Sequence, residues 1–264
     1  MNATTQKVCV WCGVAMVVVW VFGFWIFAGF VPPPSPNKNA QQIADVFHGH
    51  TNLIRFGLLL SVFGSPLLMP FFSTLSVQMK RIEGRHAPLS YLQLTLGAML
   101  VLEFLFPLMI LQGAAFRPER SPEAIQTIDD IAWLLFLGLV TTGVLQFIVV
   151  GAAILQDHRP DPIFPRWAGF YNIWAGLTFA PGGLCVFFKN GPFAWDGLLV
   201  WWIPLGNFSI WIAIMTVLLL KAINRQEKET PDKAIHADLD VDRKLELLNA
   251  EIAALRVELA TKAT

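Results

Sequence analysis

Charged residues are scarce in this sequence. Only 14% of its 264 residues are Asp, Glu, Lys or Arg, while 55% are hydrophobic. A water-soluble domain carries about 25% charged residues, so this chain has too few to coat a water-facing surface. Its formal net charge is zero, which removes the long-range field that would point to nucleic acid. Cysteine is equally sparse. Cys9, Cys12 and Cys185 are three in number, so they cannot all pair within one chain, and a disulfide framework is excluded. Cys9 and Cys12 form a C-x-x-C, but no histidine or second cysteine pair accompanies them. At the start of an apolar run they are expected to act as small apolar filler.

The motifs of common catalytic chemistry are also missing. No glycine-rich phosphate loop follows a strand, and there is no G-x-S-x-G, no H-E-x-x-H and no clustered acidic metal site. Nothing resembles a potassium-type selectivity filter. No pair of similar halves gives the inverted repeat of many transporters. The histidines His48, His50, His86, His158 and His236 all fall outside the interiors of the apolar runs, whereas a membrane haem usually takes histidine ligands from within them. A membrane redox enzyme therefore ranks last among the functional classes, and no cofactor or metal is expected.

Long hydrophobic runs are abundant. A bilayer core is crossed by about 20 apolar residues in a helix. Runs of that length cover Val8 to Val31, Leu53 to Gln78, Pro88 to Ala115, Ile131 to Leu155, Trp167 to Phe188 and Gly197 to Ile223. The expected fold is an all-α bundle of six transmembrane helices over residues 1–223, with a cytoplasmic linker and amphipathic or coiled-coil helix over 224–264. The first run exceeds the h-region of a signal peptide. It closes on Pro32-Pro33-Pro34 rather than on a cleavage site, so it is expected to be retained.

Between the first two runs, Asn37 to Asn52 is polar but helical in pattern. Ile43, Val46 and Phe47 share one face; Asp45, His48, Asn52 and Arg55 share another. Pro66 and Pro70 predict a kink in the second span. Phe116 to Asp130 is expected to be a polar loop. Asp157, His158, Arg159 and Asp161 read as a solvated turn.

Lysine and arginine gather on alternate loops. Lys7, Lys80, Arg81, Arg85, Arg159, Arg166, Lys221, Arg225 and Lys228 lie on one side. Lys38, Arg117, Arg120 and Lys189 lie on the other, with Arg55 at its edge. This bias places both termini in the cytoplasm. Trp20, Trp25, Trp195, Trp201 and Trp202 are expected at the outer interface as an aromatic belt. In the tail, Val241, Leu245, Leu248, Ile252, Leu255 and Leu259 alternate steps of four and three, the seam of a short coiled coil or of an amphipathic helix.

Polar residues inside the spans are the candidates for chemistry. Glu103 falls near the middle of the third span, followed by Pro107. A carboxyl group there is costly unless it is paired, protonated or turned to a polar cavity. Arg55 is its one intramembrane cationic candidate partner. Gln93, Gln146 and Asn172 fall in the inner half of their spans, and Gln146 and Asn172 are expected to approach each other. They serve either as hydrogen bonds between helices or as a polar pocket open to the cytoplasm. Asn207 in the sixth span fits either role. Gly57, Ser61 and Gly64, and likewise Gly169 and Gly176, are expected to let helices pack closely.

The segment FPRWAGFYNIW, followed by APGG and FFKNGPFAW, resembles a group of uncharacterised bacterial multi-span inner-membrane proteins. The residues that carry the resemblance are Pro165, Arg166, Trp167, Tyr171, Asn172 and Trp174, then Lys189, Gly191, Pro192, Phe193, Ala194 and Trp195. It implies a six-helix protein of the bacterial inner membrane and brings no activity with it. Two functions stay open. One is a non-catalytic scaffold, accessory subunit or sensor assembled through the bundle and the C-terminal helix. The other is a carrier or binder of a small apolar or weakly acidic solute, or of lipid, at Glu103.

Overall fold

The computed structural model describes residues 3–229 and Leu248. Of the tail seam, Val241, Leu245, Ile252, Leu255 and Leu259 lie outside the described residues. Contacts divide the chain into two units, Met1–Ala222 and Ile223–Thr264. The account below concerns the first.

Among the described residues all regular structure is helical. Six stretches are long and apolar enough to cross a membrane: Ala3–Phe27, Thr51–Glu83, Pro88–Phe116, Pro122–Leu155, Arg166–Phe187 and Leu198–Glu229. The expected six-helix membrane fold is therefore present. Its uninterrupted helices are α1 (Ala3–Trp20), α2 (Ala40–Gly49), α3 (Thr51–Gly64), α4 (Leu68–Glu83), α5 (Pro88–Phe116), α6 (Pro122–Gly138), α7 (Thr141–Leu155), α8 (Arg166–Phe179) and α9 (203–229).

The first span ends earlier than its prolines suggest. Beyond α1 the chain widens into π-type turns over Val21–Phe27, and Gly29 at φ 71° turns it out of the helix before Pro32. Short α2 carries a reciprocal cap: Asn39 accepts from the Gln42 N–H, and the Gln42 side chain accepts from the Asn39 N–H. Pro66 interrupts the second span with a tight turn over Ser65–Leu67 between α3 and α4.

Helix α5 is closed at both ends by side chains from other elements. The Glu83 carboxylate accepts from the N–H groups of Leu89 and Ser90 at 2.9 and 2.7 Å. At the far end, Arg55 donates from Nε and Nη2 to the Ala115 carbonyl and from Nη2 to the Phe116 carbonyl, and Arg120 donates to that of Gly113. These carbonyls have no partner within the helix.

Two corrections bear on the interior. Phe116 to Asp130 is not all loop: α6 starts at Pro122, with Ser121 capping the Ala124 N–H. The fourth span is then broken at Leu139–Val140, between α6 and α7. The fifth span also loses α geometry, at Ala180–Phe187, where Pro181-Gly182-Gly183 stand. The two breaks adjoin, since a Cβ at Gly182 would lie 2.6 Å from the Leu137 carbonyl oxygen.

The second correction concerns the expected aromatic belt. Trp195 and Trp201 are buried, and the Trp195 indole donates to the Pro34 carbonyl at 2.7 Å. Trp201 joins Phe24, Trp133 and Phe136 in a cluster of mostly edge-to-face rings, with Trp133 and Trp201 centroids 6.0 Å apart. Such contacts contribute about 0.5–1.5 kcal/mol each beyond area burial. Trp25 and Trp202 remain exposed.

Candidate functional site

The first and third spans, the broken fourth and the start of the sixth enclose a cavity of about 230 Å³. Its wall is almost wholly apolar. Trp20, Val21, Phe24 and Trp25 come from the first span, Leu100 and Phe104 from α5, and Leu139, Val140, Gly143 and Phe147 from the broken span. Trp201, Leu205 and Phe208 close the side nearest the sixth span. Val21, Trp25 and Leu139 line the cavity and are also exposed on the protein surface, so it opens sideways toward the surrounding medium.

Glu103 is the ionisable residue in this wall. It is 7% exposed, and its Oε1 has no hydrogen-bond partner among the described residues. Pro107, four residues on, has no N–H to give the Glu103 carbonyl, so the helical hydrogen bond at that position cannot form. The register of α5 on α7 fixes the level of Glu103 in the bundle. A Cβ at Gly97 would lie 3.1 Å from Gln146 Nε2, and one at Gly143 would lie 3.5 Å from Leu100 Cδ1. Continued in the same antiparallel sense, this register sets Glu103 level with Val140, at the break. The Trp201 indole N–H is likewise buried without a partner. The cavity is thus an apolar chamber bordered by few polar groups, the usual form of a site for an apolar ligand with one polar end.

The expected pairing of Arg55 with Glu103 does not occur. The Arg55 guanidinium is committed to Asn52 Oδ1 and to the carbonyls ending α5. Twelve residues of helix separate Glu103 from Ala115, about 18 Å.

Nor do the three inner-half amides form one pocket. Asn172 accepts from the Trp211 indole at 2.8 Å and donates to the Ala168 carbonyl, not to Gln146. Asn207 accepts from the Tyr171 hydroxyl and donates to Thr178 Oγ1. These bonds tie α8 to α9. Gln93 Oε1 accepts from Ser76. Gln146 is 3% exposed and makes no hydrogen bond with either side-chain atom among the described residues.

One buried carboxyl group escaped sequence reasoning. Asp129 is fully buried on α6, its Oδ1 accepting from the Trp133 indole at 2.9 Å and its Oδ2 without a partner among the described residues. The signal lay in the spacing Ile125, Asp129, Ala132, Trp133, one buried helical face. The polarity of the neighbouring RPERSPE segment masked it. Among the described residues no group of His, Cys, Asp and Glu has the geometry of a metal site.

In the turn after α7, His158, Arg159 and Asp161 are exposed, as expected of a solvated turn, and Asp157 is the exception. Asp157 is buried, accepting from Arg159 Nε and Nη2 at 2.7 Å each and from the Ile163 N–H at 2.8 Å. Burial pushes its carboxyl upward, but the Arg159 side chain and the two backbone N–H donors outweigh burial and hold it below the usual range. The sign of the pH dependence follows. The stabilisation is complete above the unfolded value of about 3.9 and is lost as pH falls through the lower folded value. Melting temperature measured in detergent should therefore drop below about pH 4. Asp157→Asn should be less stable at pH 7 by about 2 kcal/mol, typical of hydrogen bonds to a charged group, and should show a flatter acid limb.

Comparisons of the chain with models of protein families, with curated proteins and with solved structures found no match.

Proposed function

We propose that this protein binds, and carries within the membrane, a small apolar molecule or a segment of a lipid-derived chain, with the Glu103 carboxyl group as its polar anchor. One observation carries this reading: a buried carboxyl oxygen without a hydrogen-bond partner among the described residues, in a residue that lines a largely apolar cavity of about 230 Å³. An apolar cavity of about 150 Å³ already accommodates a benzene ring, so there is room for a ring system or a short length of chain. The sideways opening at Val21, Trp25 and Leu139 supports entry from the bilayer. Two broken spans beside the site support movement, because discontinuous helices surround the substrate sites of many carriers.

The lysine and arginine asymmetry supports an orientation with both termini on the cytoplasmic side; a bacterial inner membrane as the location rests on the resemblance carried by Pro165 to Trp195. The alternative of a scaffold assembled through the bundle and the C-terminal seam rests, for all of the seam but Leu248, on residues outside those described, and it draws no support from the cavity.

The test is native mass spectrometry of the protein released from nanodiscs supplied with a long-chain fatty alcohol. The natural sequence should retain one apolar molecule per chain. Glu103→Gln should lower that occupancy at least tenfold, equivalent to about 1.4 kcal/mol, with an unchanged melting temperature. Equal retention by both, or no retention by either, would overturn the reading.

A further inference from the structure

Two residues in the cavity wall carry orphaned polar atoms, and the atoms differ in kind. Glu103 Oε1 and the Trp201 indole nitrogen are both buried, and neither has a hydrogen-bond partner among the described residues. An indole N–H only donates, whereas a carboxyl group accepts and, when neutral, also donates. Trp201 is an exception among the buried tryptophans. Trp133 donates to Asp129, Trp195 to the Pro34 carbonyl and Trp211 to Asn172. The Trp201 ring is instead packed among carbon rings, with centroids 6.3 Å from Phe24, 6.0 Å from Trp133 and 6.4 Å from Phe136. None of these neighbours offers it a lone pair. A buried donor left in that condition is costly, and a ligand in the cavity that brings an acceptor would remove the cost.

The two groups stand at different levels of the same cavity. Trp201 packs on Trp133 and Phe136 of α6, and Phe136 precedes Val140, the level of Glu103, by four residues. Along the bundle the indole and the carboxyl group are therefore about one helical turn apart, about 6 Å. The wall beside Glu103 is aromatic. The ring of Phe104 lies 5.1 Å from Trp20, 5.7 Å from Phe136 and 6.0 Å from Phe208, edge-on or tilted in each case, and all four residues line the cavity. A flat ring entering this cluster would add edge-to-face contacts to the burial of its area. A saturated chain gains the burial alone. A single hydroxyl at one end would satisfy Glu103 and leave Trp201 as it is.

Building on the binding reading above, we propose that the ligand is a flat aromatic compound with hydrogen-bonding atoms at two opposed ends. At one end a carbonyl or similar acceptor takes the Trp201 N–H. At the other a hydroxyl or second carbonyl meets the Glu103 carboxyl group. A protonated amine cannot serve at the Trp201 end, because an ammonium group has donors only. A hydrocarbon serves at neither end. An aromatic ketone with a hydroxyl across the ring is the simplest member of the class.

The experiment compares two probes that differ in one oxygen. 4-Hydroxyacetophenone carries a carbonyl and a hydroxyl at opposed ends of one ring, and 4-ethylphenol has nearly the same shape without the carbonyl. Ligand-observed NMR on the full chain in nanodiscs, referred to lipid uptake by empty nanodiscs, gives the affinity of each. The natural protein should prefer 4-hydroxyacetophenone by about tenfold or more, the effect of satisfying one buried donor. The saturated counterpart 4-acetylcyclohexanol should bind more weakly than 4-hydroxyacetophenone. Trp201→Phe keeps an aromatic ring and loses the N–H. It should weaken the ketone by the same factor and leave 4-ethylphenol unchanged. Equal affinity of the natural protein for the two phenols is the result expected if the indole N–H points to a ring face or to water. It would overturn the inference without any variant having to fold, and undiminished binding of the ketone by Trp201→Phe would do the same. If neither phenol binds while a fatty alcohol is retained, the inference falls and the binding reading stands. If nothing is retained, both fall.

Discussion

Gly143→Leu is expected to abolish retention of an apolar molecule while leaving the bundle as stable as before, or more so. Gly143 stands on the cavity wall. A Cβ there would meet only Leu100 Cδ1 at 3.5 Å, an ordinary contact, so the first carbon of a larger side chain costs nothing. The remaining carbons have the cavity to enter. Filling it with hydrocarbon recovers up to about 0.8 kcal/mol per buried methylene. Exchange of glycine for leucine within a helix adds about 0.5–1 kcal/mol. The new side chain takes up a large part of the ligand's room, whereas Glu103→Gln removes only its anchor. Native mass spectrometry should therefore show no bound molecule in Gly143→Leu, and thermal unfolding in detergent should show a melting temperature that is equal or higher. A ligand still bound at full occupancy would mean that the molecule sits elsewhere. A clear loss of stability would mean that the wall around Gly143 cannot accept the side chain.

The six spans were legible because bilayer thickness imposes a length, and hydropathy over that length is a strong signal. Pro88 to Ala115 was read almost to the residue, since Pro88 opens α5 and the polar Arg117 follows its end. The breaks were less legible. Leu139 and Val140 are as apolar as their neighbours, and nothing in the local sequence distinguishes a helical leucine from one at an interruption. Pro181-Gly182-Gly183 did mark the break in the fifth span. Its place beside the other break depends on how Gly182 packs against Leu137, which is a tertiary fact. Trp195 and Trp201 show a similar limit. Tryptophan near a span end suggests the interface, yet a tryptophan that finds a carbonyl such as that of Pro34 can be buried outright.

The site divides in the same way. Glu103 was identifiable from one rule, that a carboxyl group in the bilayer interior needs a reason to be there. Its surroundings were not, because they depend on the register of α5 against α7 and on the wide turns of the first span. The pairing with Arg55 failed for a reason of reach: the guanidinium lies beside the unpaired carbonyls at the end of α5 and bonds them. Asn172 and Gln146 were placed at compatible depths, but depth along a helix does not fix the direction in which a side chain points. Trp211 from α9 took the hydrogen bond that Gln146 was expected to share with Asn172.

Gly57→Leu is expected to prevent recovery of a folded, monodisperse protein. Between membrane helices the driving force is close packing, and small residues let backbones approach. Here the approach is backbone to backbone. A Cβ at Gly57 would lie 2.3 Å from the Gly23 carbonyl oxygen and 2.5 Å from the Ala28 nitrogen, and one at Gly23 would lie 2.7 Å from the Gly57 carbonyl oxygen. No rotamer change relieves a clash between backbone atoms, so the first span must move off α3 as a body. Overpacking typically costs about 1–3 kcal/mol where neighbouring side chains can yield. Here they cannot, and the expected loss is larger. The displaced segment also carries Trp20, Val21, Phe24 and Trp25, one wall of the cavity, so ligand retention should fail together with stability. Gly57→Ala should fold with a markedly lower melting temperature. Gly113→Ala and Gly206→Ala provide the contrast, since a Cβ at either position has nothing within 4 Å; both should match or exceed the natural protein, gaining up to about 1 kcal/mol of helix propensity. Equal melting temperatures for Gly57→Ala and Gly206→Ala would show that the first span does not seat on Gly57.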